Sequence, residues 1–344
     1  MPDSSERAND LNPSVSVVII GRNEGDRLVR CIQSVLGMQY DGKTEIIYVD
    51  SDSVDGSPER ATELGARVVN VKPERPCAAV GRNAGWREAL GDVVFFLDGD
   101  TIVEPDFVAH AIREFQDEKV GVVWGHRREI QTRESVFNRV LDLDWVYPPG
   151  PSDFCGGDAL FLRSVLEITE GYNEELIAGE EPELCQRIRQ RGYVIQHVDL
   201  PMTGHDLAMT RWSQYWRRAT RAGYAYAEIS NKLKDTEFPL WVDDARRNRL
   251  RGSIVLATPI LTAAACFVIP SFLPLAVVFA GATLLAARTA IRTRWKGGSF
   301  TTRFLYGLHS HVQQVPILFG QISYYRHASR GTKRKLIEYK EVVN

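Results

Sequence analysis

The feature that most constrains this chain of 344 residues is a charge-free stretch toward its C-terminal end. Between Arg251 and Arg288 no residue is charged, and Gly252 to Ala287 is 36 residues of mostly Ala, Val, Leu, Ile and Phe. One bilayer-crossing helix takes about 20 apolar residues, so the run is too long for one crossing and just long enough for two short ones. Pro270 and Pro274 fall in its middle, in Ile269-Pro270-Ser271-Phe272-Leu273-Pro274. Proline removes a backbone donor and clashes with the preceding turn, which makes this the natural break. Arg246, Arg247, Arg249 and Arg251 precede the run, and Arg288, Arg292, Arg294 and Lys296 follow it. If basic flanks stay on the cytoplasmic side, both ends lie on one side and the number of crossings is even. The expectation is a transmembrane helical hairpin over residues 253–288. A hairpin that enters without fully crossing, and a helical hairpin buried in a soluble domain, fit the same composition.

The flanks of this run are of ordinary globular character. Charged residues make up 25% of the chain and hydrophobic ones 44%, which excludes a disordered or collagen-like polymer. The 42 basic and 44 acidic residues leave a net charge of −2, so no nucleic-acid partner is expected. Cys31, Cys77, Cys155, Cys185 and Cys266 are odd in number and include no CxxC pair, which points to thiols rather than to a disulfide framework or a cysteine zinc site. Residues 1–13 lack the apolar core of a secretory signal and read as a flexible tail. Beyond the hairpin, Phe304, Leu305, Leu308, Val312, Val315, Ile317, Leu318 and Ile322 recur near helical spacing, interrupted by Pro316. That suits one or two amphipathic helices at a membrane surface or against the hairpin. Arg326 to Lys340 is basic; it is either a contact for anionic lipid headgroups or a solvated tail.

Upstream of the hairpin the pattern changes to alternating strands and helices. Ser14 to Gly21 is dominated by Val and Ile, as a buried parallel strand is. A helical pattern at Leu28, Cys31, Ile32, Val35 and Leu36 follows. Strands are predicted at Glu45–Val49, Arg67–Val71 and Val93–Leu97, with helices at Pro58–Leu64 and Ala79–Leu90 between them. This alternation predicts an α/β, doubly wound, mostly parallel sheet, which binds ligands at the carboxyl ends of its strands. Asn23-Glu24, Asp50/Asp52 and Asp98/Asp100 all fall at those ends. No GxGxxG, GxxxxGK[ST] or GxSxG run occurs, so a Rossmann dinucleotide site, a P-loop and a hydrolase elbow are without support. Asp98-Gly99-Asp100 places two carboxylates around a glycine directly after a buried strand. Such a pair can approach a hard divalent cation, Mg²⁺ or Mn²⁺, that neutralises a diphosphate. The other meaning of a lone D-x-D is a turn with solvated acids.

Five ordered motifs over roughly residues 14 to 220 resemble family 2 glycosyltransferases. Val17-Val18-Ile19-Ile20-Gly21-Arg22-Asn23-Glu24 is similar to their opening, and Val49-Asp50-Ser51-Asp52-Ser53-Val54-Asp55-Gly56-Ser57 to their VDDGSxDGS turn. Gly81-Arg82-Asn83-Ala84-Gly85, followed by Leu97-Asp98-Gly99-Asp100, resembles their ARNxG and LDxD runs. Phe154-Cys155-Gly156-Gly157-Asp158, continuing to Arg163, resembles their acceptor-side segment, and Gly179-Glu180-Glu181-Pro182-Glu183-Leu184 their ED motif. The resemblance implies a GT-A fold, a nucleotide-diphosphate sugar donor and inversion at the anomeric carbon. It implies nucleotide-sugar contacts at Asn23, Glu24, Asp50, Asp52, Arg82, Asp98 and Gly99. Gly156, Gly157, Asp158 and Glu180 would lie on the acceptor side. Metal ligation would fall to Asp98 and Asp100. Glu181 takes the place of the catalytic base, usually Asp and one methylene shorter. A carboxylate there would deprotonate the acceptor hydroxyl as it attacks. Pro182 suits a first helical turn, so Glu180 and Glu181 stand at a helix N-terminus, as base or as simple capping acids.

His205 follows a short strand predicted at Val194–Val198 and is either a further metal ligand, as in some family members, or a packing residue. Gln214-Tyr215-Trp216-Arg217-Arg218 is similar to the QxxRW motif of processive synthases, with Arg218 in the place of Trp; Gln214 and Arg217 are acceptor-side candidates. Trp145 to Pro151 is a proline-rich aromatic loop, an acceptor loop or a plain connector. The organisation expected is a tail (1–13), a GT-A domain (14–230), a juxtamembrane segment (231–252), the hairpin (253–288) and an amphipathic C-terminal region (289–344). The function expected is a membrane-attached, metal-dependent, inverting hexosyltransferase. It would sit at the cell inner or plasma membrane with a cytoplasmic catalytic domain, among membrane lipids, and act on a lipid-linked glycan acceptor in surface polysaccharide assembly. The alternatives are a polyprenyl-phosphate sugar transferase, a processive synthase, and a tethered scaffold with an inactive GT-A domain.

Overall fold

The computed structural model describes residues 12–72, 77–269 and 271–332. Two compact units divide them. One runs to Ile130 and resumes over Tyr147–Leu207; the other takes Gln131–Val146 and the chain from Ala208 onward.

The first unit is built on a nine-stranded sheet. Its strands are β1 (Val15–Gly21), β2 (Thr44–Asp50), β3 (Arg67–Asn70), β4 (Val93–Asp98), β5 (Thr101–Val103), β6 (Val120–Glu129), β7 (Gly150–Ser152), β8 (Ala159–Leu162) and β9 (Val194–His205). The order is β3-β2-β1-β4-β8-β6-β9-β5, with β7 added to β9. β3, β2, β1 and β4 are mutually parallel, β8 runs antiparallel between β4 and β6, and β6 and β9 are again parallel. β1 and β4 are buried on both faces, as their Val, Ile and Phe content demands.

Helices α1 (Asp26–Leu36), α2 (Ser57–Glu63), α3 (Ala78–Glu88), α4 (Phe107–Ala111), α6 (Arg163–Thr169) and α7 (Glu180–Gln190) pack on this sheet, while α5 (Val136–Leu141) belongs to the other unit. In α1 the buried residues are Leu28, Cys31, Ile32 and Val35, a stripe at helical spacing. α3 has almost no apolar stripe and reaches the sheet through glycine. A Cβ on Gly85 would strike Val18, and one on Gly81 would lie 3.2 Å from Ile20. This close approach buries Arg82 and Asn83 on the same helix.

One strand expectation needed correction, and one strand had not been predicted. The strand predicted at Val194–Val198 continues to His205, and Thr101–Val103 forms a strand paired with its far end. The Trp145–Pro151 loop leads into β7, which pairs with β9.

The second unit is helical: α5, then α8 (Trp212–Leu233), α9 (Val242–Val268), α10 (Leu273–Arg292), α11 (Phe300–Val312) and α12 (Gln314–Ser329). α9 and α10 are the two arms of the apolar run, each long and apolar enough to cross a membrane by length and composition, with little of either buried. Ile260, Leu261, Phe267, Leu273, Val277 and Phe279 are among their exposed side chains. Pro274 sits in the first turn of α10, where a missing N–H costs nothing; Pro270 lies outside the described residues. Glycines set the helix crossings. A Cβ on Gly223 of α8 would collide with the Ile317 backbone of α12, and one on Gly320 with the Thr220 and Tyr224 backbone. Gly307 of α11 approaches Ala286 of α10 in the same way. The amphipathic tail forms α11 and α12, with the break at Gln313 rather than at Pro316, which enters the first turn of α12. The predicted tail over 1–13 and the basic segment to Lys340 fall largely outside the described residues.

Candidate active site

β1, β2 and β4 end together: Gly21 is in register with Asp50, and Ile20 with Asp98. The loops leaving them share one sheet edge, where parallel sheets hold ligands. Asn23 adopts a left-handed backbone, and its Oδ1 accepts the Val54 N–H at 2.8 Å while its own N–H donates to Ser53 Oγ at 2.8 Å. These bonds lace the first loop to the second. Asp50 is buried; it accepts the Tyr48 hydroxyl and the Ser53 N–H, each at 2.8 Å. Asp52, also left-handed, points a half-exposed carboxylate at Lys72 Nζ, 3.4 Å away. Glu24 pairs with Arg27 at 3.0 Å and lies over Gly99, where a Cβ would meet Glu24 Cγ and the Ile20 carbonyl at 3.2 Å. A side chain at 99 would press Glu24 and the Ile20 carbonyl aside by a few tenths of an ångström.

A buried cation organises the acids beyond this edge. Arg82 is 2% exposed and sits among three carboxylates: Glu181 Oε1 at 2.8 Å, Asp98 Oδ1 at 3.0 Å and Glu180 Oε1 at 3.2 Å. Burial works against its charge, but Glu181 and Asp98 hold its pKa well above the usual range, so it stays protonated. Asp98 also faces Arg127 of β6, with Nη2 at 3.3 Å from Oδ2. Asp158 lies beneath: it accepts the Asp98 N–H at 3.1 Å and the Thr203 hydroxyl at 2.8 Å, and Arg127 Nε is 3.6 Å away. Gly157 leaves the opening above Arg82, since a Cβ there would stand 2.6 Å from Nη2 and 3.4 Å from Glu181 Oε1. A Cβ on Gly156 would meet nothing.

Glu180 and Glu181 open α7 after Gly179, whose φ of 84° suits only glycine comfortably. Burial and the neighbouring Glu180 carboxylate push the Glu181 carboxyl up to about 7, against the opposing pull of Arg82. A carboxylate in that range exchanges protons near neutral pH, as a general base must.

Asp98, Asp100 and His205 offer one ligand atom each within 4.8 Å of one another, and among the described residues they are the group suited to a cation. His205 ends β9 and is paired on one side with Thr101 and on the other with Glu129. The Asp206 N–H then bonds the Asp100 carbonyl at 3.1 Å. Nε2 of His205 lies 3.3 Å from Asp100 Oδ2. Burial, with Arg127 nearby, holds the imidazole below its ordinary pKa against the pull of Glu129, so it is neutral and has a lone pair to offer. Two carboxylates and a neutral imidazole form a donor set that suits Mg²⁺ or Mn²⁺.

The sheet unit therefore gathers every candidate except Gln214 and Arg217, which lie on α8 in the helical unit. Gln214 caps that helix: its Oε1 accepts the Thr210 and Arg211 N–H groups at 3.0 and 2.9 Å, and Nε2 donates to the Ala208 carbonyl at 3.3 Å. Arg217 is exposed. The sequence reading omitted Arg127 and Glu129. Both lie in a strand with no motif around them; the one signal is charge replacing Val and Trp in the second half of β6.

Residues 16–168 match the family model described as glycosyl transferase family 2. A beta-monoglucosyldiacylglycerol synthase of Nostoc sp. (strain PCC 7120) is 25% identical over 232 residues, covering 62% of this chain and 49% of that protein. A poly-beta-1,6-N-acetyl-D-glucosamine synthase of Staphylococcus aureus (strain MSSA476) is 25% identical over 245 residues, 64% of this chain and 57% of that protein. The chain thus spans about half the length of these curated relatives. Among solved structures, a mannosyltransferase from Pyrobaculum calidifontis, in complex with GDP-Man and Mn²⁺, superposes with a TM-score of 0.65 at 20% identity, over 92% of this chain and 88% of that one. The shared architecture is the GT-A fold.

Proposed function

We propose, from the match of residues 16–168 to the glycosyl transferase family 2 model, that this chain is a metal-dependent, inverting glycosyltransferase. It moves a sugar from a nucleotide-diphosphate donor to a lipid-linked glycan acceptor in surface polysaccharide assembly. The observation that carries the proposal is the meeting, at one sheet edge, of a carboxylate poised near neutral pH with a group of two acids and a histidine suited to a cation.

Asp98, Asp100 and His205 would hold Mg²⁺ or Mn²⁺, and the bound ion would supply positive charge against the departing diphosphate. Glu181 takes the proton of the acceptor hydroxyl as its oxygen attacks the anomeric carbon, while the bond from that carbon to the diphosphate oxygen breaks on the opposite face. Attack opposite departure inverts the configuration. Arg82 holds Asp98 and Glu181 at a fixed separation, which keeps base and donor in register. Asn23, Glu24, Asp50, Asp52 and Gly99 shape the nucleotide side, and Gly156, Gly157, Asp158 and Glu180 the acceptor side.

The two apolar helices support attachment to the inner or plasma membrane, with the sheet unit in the cytoplasm where nucleotide sugars are made. The glucosyldiacylglycerol synthase among the relatives supports an acceptor presented at a lipid surface, and the poly-N-acetylglucosamine synthase supports glycan assembly. That second relative also favours processive elongation as an alternative, and product length separates the two.

The direct test is calorimetric titration of the full chain in lipid against a panel of nucleoside diphosphates, with and without Mn²⁺, repeated on Asp100→Ala. Binding of one nucleotide that depends on Mn²⁺ and disappears in the variant is expected. Absence of binding to every nucleotide would overturn the transferase and leave an inactive scaffold.

A further inference from the structure

We propose that Glu129 is a positioning residue for the cation site, acting through His205; the inference rests on the metal-dependent transferase reading above. Glu129 is the last residue of β6 and the register partner of His205 on β9. The Ile130 N–H bonds the His205 carbonyl at 3.1 Å, and the Thr101 pairing holds the other side of the same residue. His205 is thus fixed between two strands, with a carboxylate near each ring nitrogen. Nε2 faces Asp100 at 3.3 Å and Nδ1 faces Glu129 Oε2 at 3.9 Å. The Glu129 side chain is fully buried, and its Oε2 accepts the Leu207 N–H at 2.9 Å. That bond ties the carboxylate to the chain just beyond His205.

A neutral imidazole carries one proton. If Nε2 is to present its lone pair toward Asp98 and Asp100, the proton must reside on Nδ1, and a negative group on that side lowers the energy of this tautomer. Glu129 supplies it. The 3.9 Å separation is longer than a full hydrogen bond, so the contribution without a cation is one of charge. Carboxylates behind a ligating histidine typically change metal affinity by about 10- to 100-fold. A buried glutamate at a strand end has no packing reason to be there, because burying an ionised carboxylate is costly unless it is partnered. The Leu207 N–H is one partner of this carboxylate, and the Nδ1 edge of the His205 ring lies on the same oxygen's side.

The experiment measures Mn²⁺ affinity by electron paramagnetic resonance on the full chain in lipid, without turnover, in the presence of UDP and separately of GDP. Glu129→Gln keeps the shape and can keep the Leu207 bond. It is expected to weaken Mn²⁺ by about tenfold or more. In a His205→Ala background the same substitution should cost nothing further, an outcome that a merely structural role for Glu129 would not give. Unchanged Mn²⁺ affinity in Glu129→Gln overturns the proposal, as does an equal loss in the His205→Ala background. Wild-type protein that binds nucleotide but no Mn²⁺ overturns the metal-dependent reading, and the Glu129 role with it. If Glu129→Gln does not fold, the spin-echo modulation of Mn²⁺ on the wild type decides. A directly coordinated nitrogen, lost in His205→Ala, is expected, and its absence from the wild type overturns the proposal.

Discussion

Burial and Glu180 lift the Glu181 carboxyl to about 7, and Arg82 restrains it. Activity limited by this base should rise with pH to a plateau above about 7, falling about tenfold per unit on the acid side, as read from kcat/KM against pH. Glu181→Gln should lower turnover by about 10²- to 10⁴-fold and leave Mn²⁺-nucleotide binding intact in the same titration. Stability follows with a definite sign. A carboxyl whose pKa is raised by folding favours the folded state below its unfolded value, and that advantage is lost as pH rises through about 7. The thermal midpoint of the wild type should therefore fall relative to Glu181→Gln as pH rises from 5 to above 7 (measured by scanning calorimetry on both). Removing the Arg82 charge leaves three acids without their shared partner. Arg82→Gln should destabilise by about 3–5 kcal/mol and move the activity profile to higher pH. Most of these groups were visible as motifs because each ends a strand or opens a helix, where a polar residue interrupts an apolar run. Arg127 and Glu129 were not, because the pairing of β6 with β9 that aims them depends on residues far away in sequence.

The elements show where local pattern is sufficient and where it is not. β1, β2, β4 and α1 follow from runs of Val and Ile and from a helical stripe, and their bounds agree with the sequence to within a residue or two. β9 was cut short in the sequence reading because Asp199, Leu200 and Pro201 look like a strand end. The chain passes through them with irregular register against β6 and is then held by β5. Helix crossings were also hidden, since a glycine in a helix looks like a defect until its neighbour is known. Gly320→Leu should collide with backbone of α8 that cannot rotate away, lowering the thermal midpoint of the helical unit. Gly281→Leu on α10, where a Cβ would meet nothing, is the matched control and should leave the midpoint near wild type.

For the molecule as a whole, the uncharged run of 36 residues, broken by proline at its middle, announced two apolar helices, and α9 and α10 are those two arms. The full protein should remain with membranes through alkaline carbonate washing, and a tag at either terminus should be reached by protease from the cytoplasmic side only. Release by carbonate would remove the spanning reading. The grouping of residues 131–146 with the helices could not be seen in advance, since it is a matter of tertiary contact. Within that unit Lys296 donates to the Leu143 and Val146 carbonyls at 2.6 and 3.0 Å, and His309 lies 3.4 Å from Asp144. The segment is thus completed by residues that follow it by 153 positions. On the ribosome, the Leu143 and Val146 carbonyls emerge long before the Lys296 ammonium that bonds them. At about 5–20 residues per second the wait is roughly 8 to 30 s. Through that interval those carbonyls are without the ammonium that ties them in the folded protein, so this corner of the helical unit can close only after both apolar helices have been made.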